Sequence, residues 1–332
     1  MSRLLLALSL LNLAALAQPL LIKVGTSAPK DTYWHTALVR MAQDWKKISG
    51  GRIEMRIYPG GIQGSEVEMI RKVGIGQLQA VAISGASLPL VDRSVQCLSI
   101  PMMLDSYAEY DYVFAKVRAS LEERIAKKGF VVLHWADAGW VYFFTKKPAR
   151  TLSEIKKMKL FTSSGDPDAE KLYTEFGFHP IPLAPKDLNS SLLTGIVDTF
   201  DVPPLFALAD QTFSLAGNMV DVRWAPLPAA TLVGQAAWDT IPADLKPKLL
   251  ELARNAEARV MADVRKQEQE AIATMVKYKL NVVKPSAAEL DDWRKQAEAA
   301  WPILVTRGMV PNDLFQEVRR LRDEYRKSAA KP

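Results

Sequence analysis

The chain has 332 residues, 48% hydrophobic and 24% charged, with a formal net charge of +6. That length suits one large domain or two lobes, and the composition is that of an ordinary globular protein. The basic residues are interleaved with acids and form no basic stripe with stacking aromatics, which argues against nucleic acid as a partner.

Residues 1–17 read MSRLLLALSLLNLAALA. Arg3 is a positive start, Leu4 to Leu16 an apolar run, and Ala15-Leu16-Ala17 a small-x-small cleavage site. The expectation is a cleaved secretory signal peptide, with Gln18 near the mature N-terminus and export to the periplasm. An uncleaved anchor is the alternative, although the run is short for a membrane span. No cysteine follows, so a lipoprotein signal is not expected. Cys97 is the only cysteine; no internal disulfide can form, and export without disulfides fits a bacterial periplasm.

Leu20–Gly25 is expected to be a strand. Asp31 or Thr32 caps the next helix, whose Trp34, Leu38, Met41 and Trp45 recur at three- and four-residue intervals. Gly50-Gly51 breaks it, and Arg52–Tyr58 alternates as a strand, completing a βαβ unit. Ser65 starts a helix that Gly74 and Gly76 end, and Gln79–Ser84 is the next strand. Tyr107–Lys127 reads as helical. Phe130–Trp135 reads as a strand crossing towards a second lobe. Trp140–Phe144 reads as a further, dense strand, with Tyr142 and Phe144 evenly balanced between core and site.

From Met158 to Pro204 the pattern is that of an α/β lobe. Lys159–Phe161 suits a short strand, and Asp168–Phe176 carries helical spacing stopped by Gly177. His179–Leu183 is extended, because each proline pushes its predecessor out of the helical region. Lys186–Leu193 is helical again, and Gly195 precedes Ile196-Val197-Asp198. Such a lobe keeps ligand space at its strand ends. Trp224 lies in a proline-rich return crossing, VRWAPLP. Pro242–Tyr278, Asp291–Val305 and Asn312–Arg326 are expected helices with solvated charged faces.

Three runs, Lys156–Thr162, Phe176–Pro185 and Leu192–Pro203, resemble in order the words G-L-K-I-R-V-P, A-L-G-A-x-P-V-P-L-P and A-L-Q-x-G-V-V-D-G-Q-E-N-P. These belong to the solute-binding proteins of TRAP transporters, the DctP-type family; LLTGIVD is the most specific match. ISGGRIEMRIYPGGIQG and LSIPMM carry the likeness into the first half, so that it covers about Leu20 to Glu317. The resemblance implies an α/β, two-lobed periplasmic-binding-protein fold with a long helix spanning both lobes. It places lobe I at about 20–138 and 228–265, lobe II at about 139–227 and 266–310, and C-terminal helices to 332. It also implies a small-molecule ligand and delivery to TRAP membrane subunits.

The departures bear on the ligand. The family's arginine that grips a substrate carboxylate falls on Phe161, its asparagine after the G-V-V-D turn on Val202, and a second arginine on Val141. A charged hydrogen bond of that kind contributes about 1.5–3 kcal/mol. Setting a carboxylate against apolar groups instead costs desolvation. An apolar or amphipathic ligand is therefore expected, with Phe161, Val141 and Val202 lining the cleft, Trp140, Trp34 and Trp224 either lining it or belonging to the core, and Ser84 and Asp201 as the nearest polar groups. An additional periplasmic protein to hand over such a ligand is a further possibility. The alternative is an organic acid held by another cation, such as Arg150 or Arg223.

Enzymatic chemistry is not expected. Gly60, Gly61 and Gly64 do not form a dinucleotide fingerprint, and no P-loop, GxSxG or HExxH is present. His35, His134 and His179 are far apart in sequence, and no metal or cofactor is expected. Cys97 sits in an apolar stretch and reads as a buried structural thiol. Asp198 and Asp201 form a close acidic pair. The resemblance places Asp198 at a structural turn, so a catalytic pair ranks below binding.

Overall fold

In the computed structural model, which describes residues 18–164 and 167–329, β1 (Leu20–Thr26), α1 (Tyr33–Ile48) and β2 (Ile53–Tyr58) make the first βαβ unit. The two strands pair in parallel from Leu20↔Ile53 to Gly25↔Tyr58. The expected signal peptide lies outside the described residues. Thr32 is the cap of α1: its side chain accepts from the His35 N–H, while Asp31 takes a left-handed φ of 66°. α2 (Glu66–Gly74) opens with a reciprocal capping box between Ser65 and Glu68. β3 (Ala80–Ser84) adds to β1 in parallel. α3 (Leu88–Val91) and α4 (Tyr107–Ala126) lead into β4 (Phe130–Thr145).

The second lobe follows as α5 (Leu152–Lys156), β5 (Lys159–Ser163), α6 (Pro167–Glu175), β6 (His179–Leu183), α7 (Leu188–Thr194) and β7 (Thr199–Val202). Then come α8 (Pro204–Ala209), β8 (Asn218–Val220), β9 (Ala225–Gly234) and α9 (Gln235–Thr240). α10 (Lys246–Lys277), β10 (Asn281–Val283), α11 (Ala287–Thr306) and α12 (Asn312–Ala329) complete the chain. The strand order is β2-β1-β3-β9-β4-β7-β5-β6, with β8 joining β10 to β4. The expected helix at Pro242–Tyr278 starts at Lys246, after the separate short α9.

Phe130–Trp135 and Trp140–Phe144 are not two strands but parts of the single strand β4. Its first part pairs antiparallel with β9 from Phe130↔Gly234 to Val141↔Ala225, and its last residues pair with β7 from Tyr142↔Val202 onwards. Two register shifts, between Val132 and His134 and between Asp137 and Gly139, let the strand bend as it passes from one lobe to the other. At the second shift Gly139 has φ 107°, a conformation that a side chain opposes. The lobe divisions proposed from sequence, near 138/139 and 227/228, fall inside this shared ladder.

Before β7 joins, the outer edge of β4 has no strand beside it, and α10 takes that place. Glu257 and Glu268, eleven residues or about three turns apart, share one helix face. Glu257 accepts from the Trp135 N–H at 3.0 Å, and Glu268 from the Trp140 N–H at 2.8 Å. Between them Arg265 donates to the Asp137 carboxylate at 2.7 Å. Glu257 also receives Arg118 through two bonds of 2.6 and 3.0 Å. Buried peptide groups need partners, and here a helix supplies to a strand edge what a neighbouring strand would. α10 packs on α1 at one end of the molecule and on α8 at the other, so it lies across both lobes.

Two substitutions test this clasp. Glu257→Ala removes the acceptor of Trp135 and half of a mostly buried ion pair. We expect a loss of about 2–4 kcal/mol in urea unfolding. Gly139→Ala puts a Cβ 2.8 Å from Glu268 Oε2 at a left-handed φ, and we expect a lower melting temperature by calorimetry, whereas Gly217→Ala, with open space around it, is expected to leave it nearly unchanged.

Candidate functional site

Two cavities lie side by side along the end of β3. The first, about 60 Å³, is bounded by Thr26 at the end of β1 and Ser27 after it, Trp34 of α1, Glu66 of α2, Ser84 of β3, His134 of β4 and Thr231 of β9. Its remaining lining is chiefly alanine, with Val260 of α10 and Phe206 of α8. The second, about 160 Å³, is bounded by Gly85, Val141, Asp201, Trp224 and Leu227, with Leu172, Tyr173 and Phe176 from α6 and Leu304 from α11. Walls from both lobes meet in each.

The lobes touch through aromatic rings. Trp34 stacks on Phe206 with ring centroids 5.0 Å apart and planes 23° apart. The Trp34 indole N–H donates to the Asp137 carbonyl at 3.1 Å, which holds the ring at the mouth of the first cavity.

The polar groups are few and carry no positive charge. Glu66 stands at the start of α2, where the helix dipole favours an anion. It accepts from Ser27 Oγ at 2.6 Å, Ser84 Oγ at 3.0 Å and the Ser84 N–H at 3.2 Å. His134 is buried, and burial, helped by the charge of Arg118, lowers it to about 4; at neutral pH the ring is uncharged. Its Nδ1 has no hydrogen-bond partner among the described residues. Asp201 accepts from the Tyr173 hydroxyl. Burial raises its carboxyl to about 7 against the opposing pull of that hydrogen bond. Neither lysine nor arginine lines either cavity among the described residues.

Of the residues singled out from sequence, Trp34 and Ser84 line the first cavity, and Val141, Asp201 and Trp224 the second. Trp224 is at the same time part of an aromatic cluster with Phe143, Phe178 and Trp293. Phe161 and Val202 are half-buried, pack on the main core and line neither cavity. Trp140 is fully buried on the opposite face of β4 from Val141, edge-on to Tyr107 at 5.8 Å, because successive side chains of a strand alternate. Neither proposed cation reaches the cleft. Arg150 pairs with Glu289 at 3.0 Å on the outer surface, and Arg223 lies over the Trp140 ring on the reverse of the strand. Asp198 accepts from the Lys159 N–H at 2.7 Å, which ties a turn to β5. Cys97 is buried, and burial pushes its thiol far above its ordinary range.

Sequence reasoning missed Glu66, His134, Tyr173 and Phe206. Glu66 had one signal, its place directly after a helix cap. Phe206 had none, since its role arises from a partner 172 positions earlier in the chain.

The molecule is a two-lobed α/β fold with a narrow cleft between its lobes. Residues 24–306 match the family of bacterial extracellular solute-binding proteins, family 7 (DctP), and the chain belongs to that family. It is 23% identical over 304 residues to the C4-dicarboxylate-binding periplasmic protein DctP of Rhodobacter capsulatus, covering 90% of this chain and 89% of that one. It is 21% identical over 261 residues to a solute-binding protein of Roseobacter denitrificans, covering 75% and 77%. Among solved structures, it superposes on a sugar acid binding protein from Advenella mimigardefordensis in complex with galactonate, with TM-score 0.84, 17% identity, and coverage of 92% and 99%. A TRAP periplasmic solute-binding protein from Sulfurospirillum deleyianum with bound succinate gives TM-score 0.82, 19% identity, and coverage of 91% and 98%. The chain is thus a binding protein and not an enzyme.

Trp34→Ala removes the ring stack between the lobes, worth about 0.5–1.5 kcal/mol beyond its buried area. We expect the free protein to open, seen as a larger radius of gyration in X-ray scattering. Asp201 supplies a pH test. Its folded-state value lies above its ordinary 3.8, so its contribution is fully present below that pH and is lost as pH rises through about 7. Between pH 4 and 7 the wild-type protein is expected to lose stability relative to Asp201→Asn. A constant difference across that range would count against a buried Asp201.

Proposed function

We propose that this chain is the periplasmic substrate-binding subunit of a TRAP-type secondary transporter. It is exported by a cleaved signal peptide, closes its two lobes on a small apolar or amphipathic ligand, and delivers it to the membrane subunits. The observation that carries the choice of ligand is the charge of the cleft: Glu66 and Asp201 line its cavities, and among the described residues no lysine or arginine does. A ligand carboxylate there would meet two acidic groups and no cation, and would lose its hydration without compensation. An apolar group covering Trp34, Phe206, Val141 or Trp224 gains about 25 cal/mol per Å² of surface removed from water. His134, uncharged and with its Nδ1 unpartnered among the described residues, supplies a polar contact that a neutral hydroxyl or carbonyl satisfies.

A second reading, the same role with an organic acid, is favoured by the succinate and galactonate in the solved relatives. It requires a cation from outside the cavity walls. Native mass spectrometry of the purified mature protein, with extraction of any bound molecule, followed by calorimetry, separates the two. We expect a neutral or amphipathic molecule and no measurable heat with succinate. Tight succinate binding would sink the first reading. His134→Leu is expected to weaken the extracted ligand about tenfold, the worth of one buried hydrogen bond left unmade.

A further inference from the structure

The reverse of the hinge carries a larger space than the cleft. Val141 faces the cleft, so Trp140 and Tyr142, its neighbours on β4, face the other way. Tyr142 opens there onto a groove of about 490 Å³. Asp105, ahead of α4, forms one wall. Arg223 on the return crossing, Lys284 after β10 and Arg294 on α11 form the others. Its apolar lining comes from Met102, Met219, Val222, Ile272, Val282 and Leu290, the last two and Ile272 being the more exposed.

The charges of this groove are the reverse of those in the cleft. Three cations face two carboxylates, Asp105 and Asp221. Asp105 is already engaged from outside the groove by Arg326 at 3.0 Å, with Arg294 at 3.7 Å. Arg223 donates to the Asp105 main-chain carbonyl at 3.1 Å and engages the Tyr142 hydroxyl, and neither is a carboxylate. Lys284 is exposed and forms no ion pair among the described residues. Arg223 and Lys284 therefore stand in the groove with no carboxylate at ion-pair distance among the described residues; Asp221 lines the groove beside them, and Glu268 acts on Arg223 through space.

We propose that this groove is a second binding site, for a small amphipathic carboxylate. The acid group meets Arg223 and Lys284, and the hydrocarbon part covers the apolar lining. Arg223 offers a planar pair of donors suited to a carboxylate, and Lys284 a mobile point charge. The site is spatially separate from the cleft, because β4 stands between them. Its walls come from the segment before α4 and from the β8–β10 side of the second lobe, so occupancy is linked to how the lobes sit, and the linkage runs in both directions.

The test is calorimetric titration of octanoate into the full mature protein, with octanol as the uncharged control. Octanoate is expected to bind at least about tenfold more tightly than octanol, the factor that one charged hydrogen bond supplies. Lys284→Glu is expected to weaken octanoate by about tenfold or more and leave octanol unchanged, while Lys284→Arg keeps octanoate binding. Lys284 is on the surface, so unchanged thermal unfolding of the variants confirms that the fold is intact. Equal binding of octanoate and octanol overturns the proposal, as does octanoate affinity unmoved by Lys284→Glu, or no octanoate binding. The cleft, proposed to take amphipathic molecules, can add heat with either probe, so binding is assigned to the groove by its response to Lys284→Glu; the cleft ligand is tested by extraction and by His134→Leu.

Discussion

The clasp of α10 on β4 is the constraint on which the rest depends. A strand that serves two lobes must bend between them, and bending breaks its regular pairing. The exposed peptide groups must then be satisfied by something other than a strand. Glu257 and Glu268 do this for Trp135 and Trp140, and Arg265 fixes Asp137 between them. Because these three side chains sit on one helix, the bend of β4 and the position of α10 are a single feature. Trp34, Val141 and Arg223 all take their places from it.

From that follows the separation of charge across the hinge. Side chains alternate along β4, so adjacent residues serve different spaces. Val141 belongs to a cleft with acidic and neutral groups, and Tyr142 to a groove rimmed by cations. Among the described residues no arginine or lysine lines the cleft cavities, and the nearby Arg223 lies on the other face of β4. The cleft instead gathers aromatic rings, alanines and a few hydrogen-bonding groups. Its serines and the helix terminus of α2 hold Glu66 in place, so the carboxylate belongs to the architecture of the wall as much as to its chemistry.

The aromatic contact between Trp34 and Phe206 closes this cleft from the other side. It is made of groups that gain by leaving water, and both rings line the first cavity. Closure and ligand coverage thus draw on the same apolar surface, and a ligand with matching surface favours the closed form by its differential contact with it.

Much was legible in the chain itself. The spacing of Trp34, Leu38, Met41 and Trp45, the Ser65 cap and the prolines of β6 are local signals, set by backbone geometry within a few residues, and the elements form where those signals stand. The wording around Leu192–Pro203 carried the family. What sequence could not decide was which face each residue presents and which distant residues meet. Phe161 and Val202 went to the core edge, Trp140 to the reverse of β4, and His134, Glu66 and Phe206 came to the cleft. Those outcomes depend on where β4 bends and on what α10 places against it, contacts between segments more than a hundred residues apart that no local pattern encodes.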